Sequence, residues 1–81
     1  MPLTALKTAK KVIGVKQTLK AVEKEQVALV YMAADADARI IASLKELCCR
    51  RGVGVEYVPT MVELGKACGI EVGAAAVGLF K

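Results

Sequence analysis

The residues best placed to do chemistry sit between positions 14 and 24, in the stretch Gly14-Val-Lys16-Gln17-Thr-Leu-Lys20 and on to Lys24. Wound as a helix at about 100° per residue, Lys16, Gln17, Lys20 and Lys24 share one sector, while Leu19 and Val22 point away from it. One face can anchor such a helix while the other presents three cations and an amide. Its N-terminus adds backbone N–H groups suited to a phosphate. Lysine donates to guanine O6 and N7, and glutamine pairs with donor–acceptor base edges. The same pattern also describes an ordinary amphipathic helix with a solvated face.

Other chemistries find little support. The chain has no histidine, so Ser-His and Cys-His nucleophilic pairs are excluded. Asp35 and Asp37 are separated by one residue and alternate sides if extended. Asp37 is accounted for as the N-cap of a following helix. Gly65, Gly69 and Gly73 are spaced by four but match no phosphate-loop or dinucleotide pattern, and they read as glycine-assisted turns. Cys48, Cys49 and Cys68 form no CxxC, which argues against zinc and for reduced thiols. No metal, cofactor or enzymatic activity is expected.

The elements that must position the basic face are legible from periodicity. Leu3–Lys11 reads as a short helix, Val12–Gly14 as a short strand, and Lys16–Lys24 as a second helix. Val27–Ala34 is a continuous apolar run, suited to a strand covered on both faces. Asp37 opens a helix from Ala38 to about Arg51 whose buried stripe would be Ile40, Ile41, Leu44, Leu47 and Cys48, with Gly52 as its stop. Val53–Val58 alternates as a strand, Thr60 to Glu63 is a capping box, and the helix it opens runs to about Cys68. Ile70–Gly73 is then a loop and Ala74–Phe80 the last strand. Strict α-β-α-β-α-β-α-β alternation predicts an α/β fold with one central sheet and helices on both faces.

Composition fits this reading. The 81 residues leave room for one domain over 1–81, and 56% are hydrophobic but only 4% aromatic, so the core should be aliphatic. The net charge is +4 and is uneven. Residues 1–24 carry Lys7, Lys10, Lys11, Lys16, Lys20 and Lys24 against Glu23 alone, which points to a polyanionic partner. The apolar stretches Val27–Ala34 and Ala74–Phe80 are far too short to span a bilayer. Met-Pro-Leu-Thr-Ala-Leu-Lys lacks the apolar core of a signal peptide, so a cytoplasmic location is expected.

The stretches Gly14-x-Lys16-Gln17-x-x-Lys20, Ala34-Asp35-Ala36-Asp37 and Leu64-Gly-Lys-Ala-Cys-Gly-Ile-Glu-Val-Gly-Ala-Ala-Ala-Val77 together resemble the kink-turn RNA-binding ribosomal protein family. This is the family of the archaeal large-subunit L-seven-Ae protein, and the likeness is greatest to its small bacterial YbxF-like members. The resemblance covers nearly the whole chain in order. It implies a three-layer α/β/α sandwich on a four-stranded mixed sheet. It also implies recognition of a kink-turn, a sharply bent RNA with a bulge beside tandem sheared G·A pairs.

Carried over on that resemblance, Gly14 allows close approach of backbone to RNA, and Lys16, Gln17 and Lys20 face the guanines and nearby phosphates. Ile70, Glu71, Val72, Gly73 and Ala74 pack on extruded bases, with Asp37 and Ile41 lining the other side of that pocket. The archaeal pattern has Asn then Glu where this chain has Lys16 and Gln17, which implies a larger electrostatic share of binding. Two other readings stay open: a ribosome-associated protein binding rRNA or protein without choosing kink-turns, and a protein-interaction module. Either way the expectation is a monomer.

Overall fold

In the computed structural model, residues 10–81 are described. They form β1 (Lys11–Ile13), α1 (Val15–Glu23), β2 (Val27–Ala33), α2 (Ala38–Arg51), β3 (Gly54–Val58), α3 (Met61–Ala67) and β4 (Ala76–Phe80). Of the expected helix over Leu3–Lys11 only Lys10 and Lys11 are described, and neither is helical, Lys11 belonging to β1; the rest lies outside the described residues. The strands make one mixed sheet in the order β1-β4-β2-β3. β2 and β3 pair in parallel, and β4 runs antiparallel to both β1 and β2.

That topology decides where the helices begin. β1, β2 and β3 all run in one direction, and each is followed by a helix. The N-termini of α1, α2 and α3 therefore gather at one end of the sheet, where β4 also starts. We refer to this end as the pole.

Alternation along the central strands divides the core into two layers. Val30 and Met32 of β2 and Ala76 of β4 face α1 and α2, where they pack with Val22, Leu44 and Cys48. Tyr31 and Ala33 of β2 and Val77 and Leu79 of β4 face α3, where they pack with Leu64 and Cys68. A register irregularity between Val27 and Leu29 lets Val27 share a face with Val30 despite the odd spacing. The result is the expected α/β sandwich on a four-stranded mixed sheet.

α2 follows its sequence signals closely. The Asp37 carboxylate accepts from Arg39 N–H at 2.9 Å, Arg50 and Arg51 occupy the last turn, and Gly52 is the C-cap. One expectation fails here. Leu44 and Cys48 are buried and Ile41 and Leu47 half-buried, but Ile40 is 44% exposed. The reason is position: Ile40 lies in the first turn, where it overhangs the seam between α1 and α2 instead of reaching the sheet. β4 also begins two residues later than expected, because Ala74 N–H goes to Met61 C=O at 3.0 Å and not to the sheet ladder.

Candidate nucleic-acid interface

The pole is assembled by backbone hydrogen bonds between segments distant in sequence. Gly14 N–H donates to Ala76 C=O at 2.9 Å and Ala33 N–H to Ala75 C=O at 2.9 Å. Ala34 N–H donates to Val58 C=O at 2.8 Å. These bonds bring the start of α1, the loop before β4 and the Ala34–Asp37 connection side by side. The residues singled out between 14 and 20, at 37 and 41, and between 70 and 74 thus share one end of the molecule.

The three helix N-termini there are not equivalent. Asp37 caps α2. At α3, Thr60 Oγ1 accepts from Glu63 N–H at 3.1 Å and Asp35 Oδ1 accepts from Met61 N–H at 2.8 Å. α1 has Gly14 at its cap, no side-chain cap and no acidic residue in its first turn. Its first internal bond is Thr18 N–H to Gly14 C=O at 2.9 Å, so the N–H groups of Val15, Lys16 and Gln17 lack partners within the helix. Among the described residues, the positive end of this helix dipole is thus the one left open to an anion. Gly14 holds φ 105° and ψ 149°, a conformation nearly confined to glycine, which turns the chain sharply from β1 into α1.

Around that open end the charges are free to act outward. Lys16, Gln17, Lys20 and Lys24 are all exposed on one face of α1, as the periodicity required. The opposite face carries fully buried Thr18 and Val22. Arg39 stands in the first turn of α2 with a nearly fully exposed side chain, 3.8 Å from Asp37.

The loop before β4 supplies an apolar counterpart. Val72 is 70% exposed, and Glu71 and Gly73 are also exposed. Ile70 is half-buried against α3 and Ala74 is buried in the core, so of this segment only Glu71, Val72 and Gly73 present side chains or backbone outward. Asp37 is exposed and Ile41 half-buried at the start of α2.

Two contributors were not legible in the sequence. The expected turn at Gly65 is not a turn: Gly65 is buried inside α3, and a Cβ there would collide with the Val72 carbonyl. Its lack of a side chain lets the loop lie flat on the helix, where Ile70 N–H donates to Gly65 C=O at 3.1 Å. Asp35 likewise joins the pole to α3 across 26 residues, a link that no local spacing announces.

A small α/β/α sandwich with an uncapped basic helix start beside an exposed apolar loop defines the class of fold and site. Comparison with known proteins places the chain within that class. The model of the ribosomal protein L7Ae/L30e/S12e/Gadd45 family matches residues 2–81, and the chain belongs to this family. It is 52% identical over 66 residues to the RNA-binding protein TTE2299 of Caldanaerobacter subterraneus subsp. tengcongensis, covering 82% of this chain and 80% of that one. It is 42% identical over 76 residues to the RNA-binding protein YbxF of Geobacillus stearothermophilus, covering 94% and 93%. Among solved structures, the Giardia lamblia 15.5kD RNA binding protein superposes with a TM-score of 0.89 at 29% identity, covering 98% of this chain and 70% of that one.

Proposed function

We propose that this chain binds structured RNA at the pole and recognises the kink-turn, the bulge beside tandem sheared G·A pairs. The observation that carries the reading is the open N-terminus of α1, flanked by Lys16, Gln17 and Lys20 and set beside the exposed Val72 loop. The RNA-binding relatives and the family resemblance support the same reading. Lys16 and Lys20 neutralise phosphates, Gln17 meets base edges, and Glu71, Val72 and Gly73 cover bases extruded at the bulge, with Asp37 and Ile41 at the far side.

The mechanism is selection of a conformation. A kink-turn RNA exchanges between extended and bent forms, and a rigid pole complementary to the bent form alone draws the population toward it. No cofactor takes part. The protein acts as a cytoplasmic monomer, on ribosomal RNA or another structured RNA.

The test is a titration of wild type and Val72→Asp into a labelled kink-turn duplex at near-physiological salt. Val72 is too exposed for the substitution to disturb folding. It places a carboxylate against bases and phosphates, and a loss of at least about tenfold in affinity is expected, the scale of one lost apolar contact plus repulsion. Wild-type affinity for the variant would remove the loop from the interface.

A further inference from the structure

A groove of about 290 Å³ opens between the first turns of α1 and α2, lined by Val15, Lys16, Leu19, Ile40 and Ser43. Of the pole residues discussed above, only Val15 and Lys16 belong to it. Its walls are almost entirely carbon, and Ile40 contributes a large exposed apolar side chain where a solvated helix start would carry a polar one. We propose that this groove is a subsite for one unpaired RNA nucleotide lying outside the bulge, and the proposal rests on the RNA-binding reading above.

Size, charge and neighbours choose the occupant. The volume lies at the low end of small-ligand sites, the scale of a nucleoside and not of a docked helix. Aliphatic walls on both sides, Val15 and Leu19 facing Ile40, suit the apolar face of a base. Lys16 at the rim suits the attached phosphate. Ser43 Oγ donates to Arg39 C=O at 3.2 Å, which leaves its lone pairs to accept from a base amino group.

The groove also has a limit. Past Leu19 and Ser43 it continues between Glu23 and Glu46, with Arg50 held by Glu46 at 2.6 Å. With Glu46 paired to Arg50, no cation is left there for a phosphate and Glu23 on the opposite wall repels one, so a strand entering from the pole stops after about one nucleotide.

The test compares two kink-turn RNAs, one fully paired at its stem ends and one with a short unpaired uridine tail appended at each strand end in turn. Wild type should bind a tailed RNA about fivefold or more tightly than the paired one, the scale of burying roughly 40 Å² of apolar surface against aliphatic walls. Ile40→Asn and Ser43→Leu, uncharged changes at exposed positions, should keep wild-type affinity for the paired RNA and lose the gain from the tail. Circular dichroism melts check that both variants fold. A wild type indifferent to every tail, or variants that keep the gain, would overturn the subsite and leave the groove to a protein partner. Failure of wild type to bind either RNA would overturn the RNA reading itself, and the subsite with it.

Discussion

Gly65→Ala tests the framework of the pole without replacing any residue assigned to RNA. Gly65 lies inside α3 beneath the loop before β4. A Cβ added there would collide with the Val72 carbonyl oxygen and lie 3.1 Å from its carbon and 3.2 Å from Gly73 Cα. The obstacle is backbone, so no rotamer change relieves it, and the loop must shift by about an ångström. Ala stabilises a helix interior relative to Gly by about 1 kcal/mol, which offsets part of an overpacking cost of about 1–3 kcal/mol. The net loss is then roughly 0–2 kcal/mol, or a fall in Tm of up to about 15 °C for a domain of this size. The binding effect should be the larger one. A loop displaced by an ångström no longer fits the extruded bases, and affinity for a kink-turn RNA should fall at least about tenfold, or 1.4 kcal/mol. Thermal melts and titrations on the same sample separate the two effects. A folded variant that binds RNA as wild type does would refute the claim that this loop must lie flat on α3 to form the interface.

Three further predictions follow from single residues. Lys20→Ala should weaken RNA binding and reduce the slope of log K against log salt by about 0.7–0.9, one phosphate contact, and an unchanged slope would detach Lys20 from the backbone. Thr18 is fully buried and its Oγ1 has no hydrogen-bond partner among the described residues; Thr18→Val should therefore raise stability by about 1 kcal/mol in urea melts, and a loss of stability would mean the hydroxyl is satisfied. Burial pushes the Cys48 and Cys68 thiols above their ordinary 9.0, against Lys11 in the case of Cys68. Burial, helped by Glu56, likewise raises the Tyr31 hydroxyl above 10.0. The folded state thus holds these protons more tightly than the unfolded chain, so their contribution is complete below about pH 9 and is lost as pH rises beyond it. Urea midpoints should fall between pH 8 and pH 10.5, and a flat profile would contradict the burial of these groups.

Legibility of the fold tracked the range of the interactions involved. α2 was readable at both ends because its cap, its basic last turn and its stop are all local signals. β2 was readable because a strand covered on both faces must be apolar throughout. Ile40 was misplaced because periodicity assigns a face but cannot say that a first-turn residue overhangs a seam between helices. Gly65 was misread as a turn because a glycine needed for close approach of two backbones looks, in sequence, like one needed for φ. The start of β4 depended on whether Ala74 N–H bonded the sheet or Met61, and Asp35 on a partner 26 residues away. For the site, the basic face of α1 could be read residue by residue. The N–H groups at its start could be read there too, and the capped starts of α2 and α3 set that start apart from the other two.

The most direct test of the central claim uses two doubly labelled RNA duplexes that differ only in their tandem G·A pairs, one intact and one replaced by Watson–Crick pairs. Energy transfer between the stem ends reports bending while the protein is titrated in. The account predicts tight binding and bending of the first RNA, with only weak, salt-sensitive association and no bending of the second. Equal binding to both without bending would contradict it, and would reduce Lys16, Gln17 and Lys20 to a general basic surface.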